Sequence, residues 1–582
     1  MSGTSLLSTP ATLRLHSATW AEALERVAAS GCHLIFVERN REPAVVPYRA
    51  LLERARAYAH HLLSHGLERG GRVMILLPTG EDWVAAFFGT LLAGGVPVPV
   101  GPTFSIGGLD KHAETLRHIA TSCAAHHFFG TARVEQYMTQ IFAPGALRAF
   151  INPGRDLGGG AAPGAGTAAA AHAFPAADGD SLGMIQYTSG TTSMPKGVEL
   201  TQRALLSNAY DVGERLGMGP AEVGVSWLPL FHDMGLIGAL LTAVYWHYPL
   251  VLMTPELFLM QPRRWMEVVA EQHATMSVAP NFAYKTAVAK MAGADAAALD
   301  LGRWRIALNG SESVLPSTLR EFSVHFAAAR FDPHAFLPVY GMAENCLAAT
   351  FPDVGTLFDS DVVDRARLEV ERVAAAPADP GGAGAREIVS VGYPLSGQSV
   401  AIEGEDGRVL DERQVGEIIV QGPCLMRGYH DNPEATARTL RGGWLHTGDL
   451  GYVSRGRLFV TGRAKEMIIV RGRNYYPHDI EQLVAGVVGD SSAGSAAVGL
   501  FDENAGTEQL GLLVEVESHS RLGRTHDAIA AAINNDLIAA LGIRAERIAF
   551  VKNRTLPRTT SGKLQRTACR QRLIDGSFFP AE

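Results

Sequence analysis

Cysteine is scarce in this chain of 582 residues, which has only five. They are Cys32, Cys123, Cys346, Cys424 and Cys569. Their number is odd and no two form a C-x-x-C pair, so neither a disulfide framework nor a zinc site built from cysteine pairs is expected. The pattern favours a reducing compartment, and we expect a cytoplasmic protein.

An excess of positive charge is also absent. The 51 Lys and Arg residues against 59 Asp and Glu residues give a formal charge of −8, so the chain lacks the basic surface of a nucleic-acid-binding protein. The N-terminus has no basic segment followed by an apolar run, and no secretory signal is expected. Gly, Pro, His or charged residues interrupt every apolar run before about 18 residues, so no membrane span is expected.

What the chain has is enough apolar material for a large core, with 47% hydrophobic residues. Its length allows roughly three or four structural units of about 150 residues. Helical spacing at 48–66 is followed by a buried strand at Arg72–Pro78, a helix at Glu81–Ala93 and a short strand at Val96–Val100. Strands alternating with helices predict an α/β fold with a largely parallel sheet.

Two stretches interrupt this alternation. Residues 153–180 are almost entirely Gly, Ala, Pro and Asp, which predicts a flexible surface connection. The alternation resumes with a strand at Leu182–Tyr187 and a helix capped by Thr201. Further on, short β elements around Glu417–Gly422 predict a barrel-like subdomain.

The segment Tyr187–Val198 combines the hydroxyl side chains of Thr188, Ser189, Thr191 and Thr192 with two glycines and one cation. The residues that would meet a ligand are Thr188, Ser189, Gly190, Thr191, Thr192 and Lys196. Small residues allow successive N–H groups to converge on an anion, and the lysine adds charge, so the segment predicts a phosphate-binding loop. The spacing is not that of a P-loop. The alternative is an ordinary polar surface loop, but the Pro195-Lys196-Gly197 ending favours phosphate.

Other candidates have ordinary explanations when taken singly. His232, in Phe231-His-Asp-Met-Gly235, is alone more often a structural histidine. Tyr340 offers an aromatic face for a base and Glu344 a carboxylate for Mg²⁺, although core packing and a solvated helix terminus explain them equally well. Asp449, in a glycine-flanked turn, is suited to accept both hydroxyls of a ribose. Lys563 is, by composition, a surface lysine.

Together these motifs resemble the adenylate-forming enzymes over nearly the whole chain. Six motifs occur in the order of that family: Tyr187–Val198, Phe231–Gly235, Tyr340–Glu344, Thr447–Tyr452, Gly462–Glu466 and Pro557–Lys563. The resemblance is sharper to the fatty acyl-AMP ligases. It rests on Trp227–Leu236, Ala279–Ala283, Gly472–Glu481 and an extra segment at about 350–387, which looks like the insertion that restrains the C-terminal domain in those ligases and disfavours reaction with CoA.

The resemblance implies roles for individual residues. Thr188 to Thr192 and Lys196 would hold the β- and γ-phosphates of ATP, and Glu344 would bind Mg²⁺. Asp449 and Arg463 would fix the ribose, Lys563 would contact the carboxylate and the α-phosphate, and His232 would lie beside the acyl carboxylate. The adenine would stack on Tyr340 within a site formed by Gly310, Ser311, Glu312, Tyr340, Gly341, Met342 and Ala343. Candidates for the acyl pocket are Met234, Asn281, Phe282 and Met342.

Three positions depart from the family pattern. Ser193 stands where the phosphate loop usually has glycine, and Ser311 and Ser313 replace the commoner alanine and proline of the adenine loop. None of these changes removes a charged group, so we expect an active enzyme.

The implied organisation has an N-terminal adenylation domain at 1–462, with its β-rich subdomain at about 388–462, and a C-terminal domain at 463–582. Lys465 matches the hinge. The implied reaction uses ATP and Mg²⁺ to form a fatty acyl-adenylate. Because no carrier domain follows, we expect a separate holo-acyl carrier protein, or a polyketide or peptide synthase module, as acceptor. The alternatives are an acyl-CoA synthetase and an inactive acyl-nucleotide-binding protein.

Overall fold

The structure is a computed structural model of the full chain. It describes residues 3–101, 109–158, 174–188, 194–382, 384–470, 473–489, 494–502, 507–516, 524–559 and 563–581. Its large N-terminal part contains two mainly parallel sheets, and a smaller C-terminal domain has a sheet of its own. The predicted α/β class is therefore confirmed.

The first sheet has four parallel strands, in the spatial order Val96–Pro99, Arg72–Leu76, His127–Gly130 and Ala149–Ile151. The helices of this region are Tyr48–Ser64, Glu81–Leu92, Leu109–Ser122, Ala132–Glu135, Met138–Ile141 and Pro153–Asp156. The helix Glu81–Leu92 is buried over almost its whole length, as expected for a helix enclosed by other elements. The predicted strands and helices of this region are confirmed to within two residues.

The second sheet has seven strands, in the order Phe336–Pro338, Ile306–Asn309, Met276–Ala279, Gly224–Ser226, Leu250–Met253, His33–Val37 and Ala44–Pro47. All neighbours are parallel except the last pair. The helices of this region are Trp20–Ala29, Gln202–Leu216, Thr242–Trp246, Pro255–Met260, Arg263–Glu271, Asn281–Lys290, Gly293–Ala297 and Pro316–His325, with a π-helix at Met234–Leu241. Apolar strands of this kind are buried on both faces by helices, which is typical of parallel sheets.

The β-rich region is mainly antiparallel. Its largest sheet contains Leu6–Ser8, Ser399–Glu403, Gly416–Gln421, Trp444–Ser454, Leu440–Arg441 and Arg457–Arg463. Smaller sheets pair Tyr340–Gly341, Ala348–Phe351 and Tyr393–Pro394, and Leu182–Tyr187, Gly197–Thr201 and Gly428–Tyr429. The short helix Pro433–Thr439 follows the last of these strands. The β-rich character predicted from Glu417–Gly422 is thus observed.

The extra segment at 350–387 forms a hairpin with a short helix between its strands. The strands are Ser360–Asp364 and Ala385–Val389, and the π-helix is Arg367–Glu371. The segment packs against the C-terminal domain: Arg365 and Arg386 pair with Asp479 at 3.7 and 3.2 Å, and the Asn474 side chain donates to the Glu369 carbonyl at 2.9 Å.

The C-terminal domain has a three-stranded sheet of Ser495–Asp502, Thr507–Val516 and Ala545–Lys552. The helices Pro477–Val488, His526–Leu541 and Arg566–Asp575 accompany it, and Ile468–Val470 pairs with Arg473–Tyr475. Two apolar clusters of its own, around Leu512 and Leu513, form its interior. The domain boundary at 462/463 stays a prediction.

Two expectations about connections and membranes can be compared with this fold. The predicted flexible stretch 153–180 begins with the four-residue helix Pro153–Asp156, and residues 159–173 lie outside the described part of the chain. None of the helices within the described ranges is both long and apolar enough for a bilayer.

Candidate active site

A large cavity of about 1650 Å³ lies at one edge of the seven-stranded sheet. Four neighbouring strands of that sheet end in segments that line it: Gly224–Ser226, Met276–Ala279, Ile306–Asn309 and Phe336–Pro338. Their carboxyl ends meet at one edge because the strands are parallel. Ligands of open α/β sheets bind in this position, and the cavity is therefore the candidate active site.

The phosphate-loop segment lies between two paired strands. Strand Leu182–Tyr187 pairs antiparallel with Gly197–Thr201, and the Thr188 amide donates to the Lys196 carbonyl at 3.0 Å. The expected helix, capped by Thr201, follows this second strand and spans Gln202–Leu216. Ser189, Gly190, Thr191 and Thr192, together with Ser193, lie outside the described residues.

The helix boundaries after the hairpin follow from capping. The Thr201 side chain accepts a hydrogen bond from the Ala204 amide, as predicted for an N-cap. Gly217 ends the helix in the left-handed conformation, with φ of 61°. The second strand was missed because Gly197–Thr201 acquires its strand partners, Leu182–Tyr187 and Gly428–Tyr429, only in the folded chain.

Tyr340, Asp449 and Arg463 form one hydrogen-bonded group. The Tyr340 hydroxyl donates to Asp449 Oδ2 at 2.9 Å, and Arg463 Nε donates to Asp449 Oδ1 at 2.7 Å. Burial and the neighbouring Asp449 charge hold the pKa of Tyr340 well above its usual value, so its hydroxyl stays a donor. The sequence motifs that carry these residues are thus brought together.

Asp449 does not lie in a turn, as the glycine-flanked motif suggested. It belongs to the long strand Trp444–Ser454, which is irregular at this point. Gly448 has φ of 72°, and its amide donates to the Glu417 carboxylate at 2.9 Å. A bulge changes the direction of the side chains next to it. Here the Asp449 side chain points towards Tyr340 and Arg463.

The loop that carries Glu344 is held by close backbone contacts. A Cβ atom at Gly341 would lie 1.8 Å from the Leu347 carbonyl oxygen, so only glycine fits there. The buried Asn345 side chain donates to the Ala348 carbonyl at 2.8 Å and to Gln398 at 2.9 Å. This packing presents Glu344 to the cavity.

Glu344 and Lys196 meet at Tyr429, a residue that the sequence motifs did not single out. The Tyr429 hydroxyl donates to Glu344 Oε1 at 2.8 Å, and Lys196 Nζ lies 4.9 Å from the centre of the Tyr429 ring. The cation and the carboxylate are 148 positions apart in the chain, which explains why no local pattern revealed their common neighbour.

The predicted adenine loop follows strand Ile306–Asn309. Ser311 and Glu312 line the cavity, whereas Gly310 is buried behind them against Val339. Ser311 adopts a left-handed conformation with φ of 73°. The Glu312 carboxylate accepts from the Phe282 amide at 2.6 Å. Burial raises the pKa of Glu312, although nearby cationic groups, Lys563 among them, oppose this rise.

His232 is paired with the next residue in the chain. Its Nδ1 lies 2.6 Å from Asp233 Oδ1, and that oxygen also caps the π-helix by accepting from the Met234 amide at 2.7 Å. Burial alone would raise the pKa of Asp233, but the charges of His232 and Lys563 together with these hydrogen bonds lower it. Asp233 is a second site residue that the motif analysis did not assign.

Lys563 enters the cavity from the C-terminal domain. Its backbone is fixed by Thr559, whose amide donates to the Lys563 carbonyl at 2.7 Å and whose hydroxyl accepts from the Lys563 amide at 3.0 Å. Because Lys563 influences the titration of both Asp233 and Glu312, it lies within electrostatic range of two acids of the large domain.

The hinge candidate Lys465 is exposed on the short helix Ala464–Glu466, directly after Arg463. The adjacent Glu466 is bound by Arg566 at 2.5 Å, and Arg566 also binds Glu481 at 2.7 Å. These pairs connect the segment after Arg463 to two helices of the C-terminal domain.

The acyl-pocket candidates all line the cavity, and two of them also have structural contacts. Asn281 is buried and bonds Asn309 and Thr318 at 3.3 Å each, and Phe282 packs in a ring cluster with Trp227 and Phe258. Met234 and Met342 complete the predicted acyl-pocket set on the wall, and Ala343, predicted for the adenine site, also lines the cavity. The cavity also has apolar lining that no motif indicated, formed by Val212, Gly238, Val278, Leu308, Leu347 and Phe351.

Comparison with known proteins gives a consistent family. The family model described as AMP-binding enzyme matches residues 24–430. A Moorena producens protein named medium-chain-fatty-acid–[acyl-carrier-protein] ligase JamA is 32% identical, with 93% of this chain and 91% of that protein covered. A Caulobacter vibrioides protein, provisionally named an acyl-CoA synthetase, is 31% identical over 96% of each chain.

A solved structure supports the same assignment. A chain from work on fatty acyl-adenylate ligases of E. coli and L. pneumophila superposes with a TM-score of 0.85 at 30% identity, over 96% of this chain and 98% of its own length. The fold is thus that of the adenylate-forming enzymes. The chain belongs to the AMP-binding enzyme family, in the fatty acyl-AMP ligase group that its motifs predict.

Proposed function

We propose that this chain uses ATP to convert a fatty acid into its acyl-adenylate, with release of pyrophosphate, and then transfers the acyl group to a separate holo-acyl carrier protein. The observation that carries the proposal is the mixed lining of one cavity. Charged groups suited to a nucleotide and apolar side chains suited to a hydrocarbon face the same space. An enzyme that joins these two substrates requires both.

The adenylation step requires a site with positive electrostatic potential. In the first step a carboxylate oxygen bonds to the α-phosphorus while the bond to pyrophosphate breaks, and two anions must approach each other. Lys563 would contact the carboxylate and the α-phosphate, while Lys196 with Thr188–Thr192 would hold the β- and γ-phosphates. The His232–Asp233 pair would lie beside the carboxylate.

The nucleoside would lie against the wall of the cavity that Tyr340, Asp449 and Arg463 form. Asp449 and Arg463 would hold the ribose hydroxyls, and their mutual hydrogen bond at 2.7 Å orients both side chains before a ligand arrives. The adenine would stack on Tyr340, beside Ser311, Glu312, Gly341, Met342 and Ala343. Gly310 would act through the backbone that supports this loop.

Glu344 fits the Mg²⁺ of the bound nucleotide, because Mg²⁺ is usually held by one or two carboxylates together with substrate phosphates. Glu344 would hold Mg²⁺ together with the nucleotide, and the metal would supply positive charge that offsets the charge of the phosphates. The protein would hold the Glu344 carboxylate in place through the 2.8 Å hydrogen bond from the Tyr429 hydroxyl.

The domain arrangement is part of the proposal. The large domain would end at residue 462, the C-terminal domain would comprise 463–582, and Lys465 would be the hinge between adenylation and transfer. The insertion supports a carrier protein as acceptor, because its contacts with Asp479 and Asn474 oppose rotation of this domain. Reaction with CoA is the alternative, favoured by the name of the Caulobacter relative.

Fatty-acid-dependent exchange of labelled pyrophosphate into ATP tests the adenylation step. We expect exchange with saturated fatty acids in at least one part of a C6–C18 panel, and none without a fatty acid. Retained ATP binding with no exchange at any chain length would contradict the proposal and favour a nucleotide-binding protein without activity.

The acceptor is tested by offering holo-acyl carrier protein and CoA separately to the adenylate-forming enzyme. We expect acyl-carrier protein as the main product. Arg386→Met, which removes a buried contact between the insertion and Asp479, should increase the share of acyl-CoA. Preferential formation of acyl-CoA by the wild type would identify a CoA synthetase.

A further inference from the structure

Tyr429 contacts two different groups of the phosphate site with two different parts of its side chain. Its ring faces the Lys196 ammonium at 4.9 Å, and its hydroxyl donates to Glu344 Oε1 at 2.8 Å. One residue thus touches both the cation and the carboxylate.

The backbone around Tyr429 connects the same two loops. The Met426 amide donates to the Glu344 carbonyl at 2.8 Å, and the His430 amide donates to the Gly197 carbonyl at 2.7 Å. Between them, strand Gly428–Tyr429 pairs with strand Gly197–Thr201. The segment Met426–His430 is therefore bonded to the hairpin behind Lys196 and to the loop of Glu344.

A third contact fixes the end of this segment. His430 Nδ1 lies 2.6 Å from Glu199 Oε1, and both side chains are largely buried. With its backbone bonded on both sides, Tyr429 has little freedom to move relative to Lys196 or Glu344. Its ring and hydroxyl can then fix the positions of these two flexible side chains.

We propose that Tyr429 is a positioning residue that sets the placement of Lys196 relative to Glu344, and thereby the fit of a magnesium-bound nucleoside triphosphate. The proposal rests on the phosphate and Mg²⁺ roles proposed above. The hydroxyl orients the carboxylate, and the ring orients the ammonium through a cation–π contact. These two effects act on different parts of the ligand, so they can be measured separately.

The test is calorimetric binding of ATP with Mg²⁺, and of ATP in EDTA, to the full-length protein. Tyr429→Phe keeps the ring and removes the hydroxyl, so we expect roughly tenfold weaker binding with Mg²⁺ and an unchanged affinity in EDTA. Tyr429→Leu also removes the ring, and we expect its affinity in EDTA to fall by roughly three- to tenfold as well.

Tyr393 provides a matched control. Its ring lies under the Arg215 guanidinium at 4.2 Å, and its hydroxyl donates to Asp353 at 2.5 Å, yet it does not line the cavity. Tyr393→Phe therefore removes the same kind of hydrogen bond elsewhere. We expect it to leave both ATP affinities unchanged.

Pyrophosphate exchange gives a second readout. Tyr429→Phe should require roughly tenfold more Mg²⁺ for half-maximal exchange, and adding it to Glu344→Gln should cause no further loss, because residues that act through one contact are not additive. Equal Mg²⁺ dependence of Tyr429→Phe and wild type, or full additivity with Glu344→Gln, would overturn the inference. Absence of exchange in the wild type would instead overturn the proposed function.

Discussion

At the scale of single residues, the carboxylates of the cavity are already held by donors of the protein. Asp449 accepts from Tyr340 and Arg463, and Glu344 accepts from Tyr429. Groups held in this way need little reorganisation when charge develops, which is the main source of electrostatic catalysis. Changes that keep the size of such a side chain but remove its charge should therefore affect ligand binding more than folding.

Asp449→Asn tests this for the proposed ribose site. Asparagine has one acceptor oxygen in place of two, so it cannot accept from both Tyr340 and Arg463 as Asp449 does. Hydrogen bonds to charged groups contribute about 1.5–3 kcal/mol. We expect the KM for ATP to rise by roughly 10- to 100-fold in the exchange assay. Asp359→Asn, which loses ion pairs to Arg455 and Arg457 outside the cavity, is the control. An unchanged KM in Asp449→Asn would exclude this role.

Gly341→Ala tests the close approach that supports Glu344. The new methyl group would overlap the Leu347 carbonyl, and overpacking of this kind costs roughly 1–3 kcal/mol. We expect a lower melting temperature and strongly reduced exchange. Gly219→Ala, where the added methyl meets no atom within 4 Å, should resemble the wild type. Normal activity of Gly341→Ala would show that the loop position is not critical.

Residues of the candidate site could be predicted where they stand in a sequence motif. They could not be predicted where only the fold brings them to the cavity. Asp449, Arg463, Tyr340, Glu344 and Lys563 stand in recognisable motifs, and all reach the cavity. Tyr429 and Asp233 needed the structure, because their importance arises from neighbours. The apolar cavity lining had no local signal, since Val, Leu and Phe residues on buried strands and helices look alike in a sequence.

At the scale of elements, the contact between the insertion and helix Pro477–Val488 is unusual in its buried charge. Arg386 and Asp479 are both almost fully buried, and His478 next to them is held neutral: its burial lowers the pKa to about 4, an effect that Asp479 opposes and Arg386 supports. A buried pair contributes little net stability but is costly to break. It is thus suited to fix one orientation of the C-terminal domain.

The pH dependence of this contact has a defined sign. His478 binds a proton less readily in the folded protein than in the unfolded chain. Its contribution to the free energy of unfolding is therefore complete above about pH 6.5 and is lost as the pH falls towards 4. The change corresponds to roughly 3 kcal/mol. We expect the protection factors of the amides in helix Pro477–Val488, which are corrected for the intrinsic pH dependence of exchange, to decrease in the wild type as the pH falls from 6.5 to 4.

His478→Gln is the matching variant, because glutamine has no titration there. Its protection factors should vary less between pH 6.5 and 4 than those of the wild type. Glu369, whose pKa burial raises to about 7, contributes in the opposite direction, since its stabilisation declines as the pH rises from 4.5 to 7. Glu369 titrates in both the wild type and His478→Gln, so its effect cancels when the two pH profiles are subtracted. Equal pH profiles would contradict a contribution of His478.

The elements themselves were largely predictable from periodicity. The α/β alternation from residue 48 to residue 100 and the strand Leu182–Tyr187 agree with the structure. Two errors share one cause: the strand Gly197–Thr201 and the strand position of Asp449 depend on pairing with distant segments. Cross-strand partners supply the hydrogen bonds that define such elements, and local propensity does not contain this information.

At the scale of the whole molecule, the cavity is completed by two parts of the chain. The large domain contributes the wall proposed to bind the nucleotide and the apolar lining, and the C-terminal domain contributes Lys563. Lys563 lines the same cavity as Asp233 and Glu312, so the structure has the two parts in a closed arrangement. Such an arrangement suits the adenylation step.

Lys563→Ala tests this division of labour. Removing one contact to charge that develops in the transition state typically costs roughly 10²–10³-fold in rate. We expect a loss of this size in pyrophosphate exchange with nearly unchanged ATP binding. Lys290→Ala, which changes an exposed lysine at the end of helix Asn281–Lys290, should retain full exchange. A small effect of Lys563→Ala would place the essential cation elsewhere.

The most direct measurement of the central claim follows the oxygen atoms of the fatty acid. The enzyme is incubated with a fatty acid labelled with ¹⁸O in its carboxyl group, ATP, Mg²⁺ and an acceptor, and the released AMP is analysed by mass spectrometry. If the carboxylate attacks the α-phosphorus, one labelled oxygen stays on AMP after acyl transfer, and we predict AMP heavier by one such atom. Unlabelled AMP, or label in inorganic phosphate, would contradict the account.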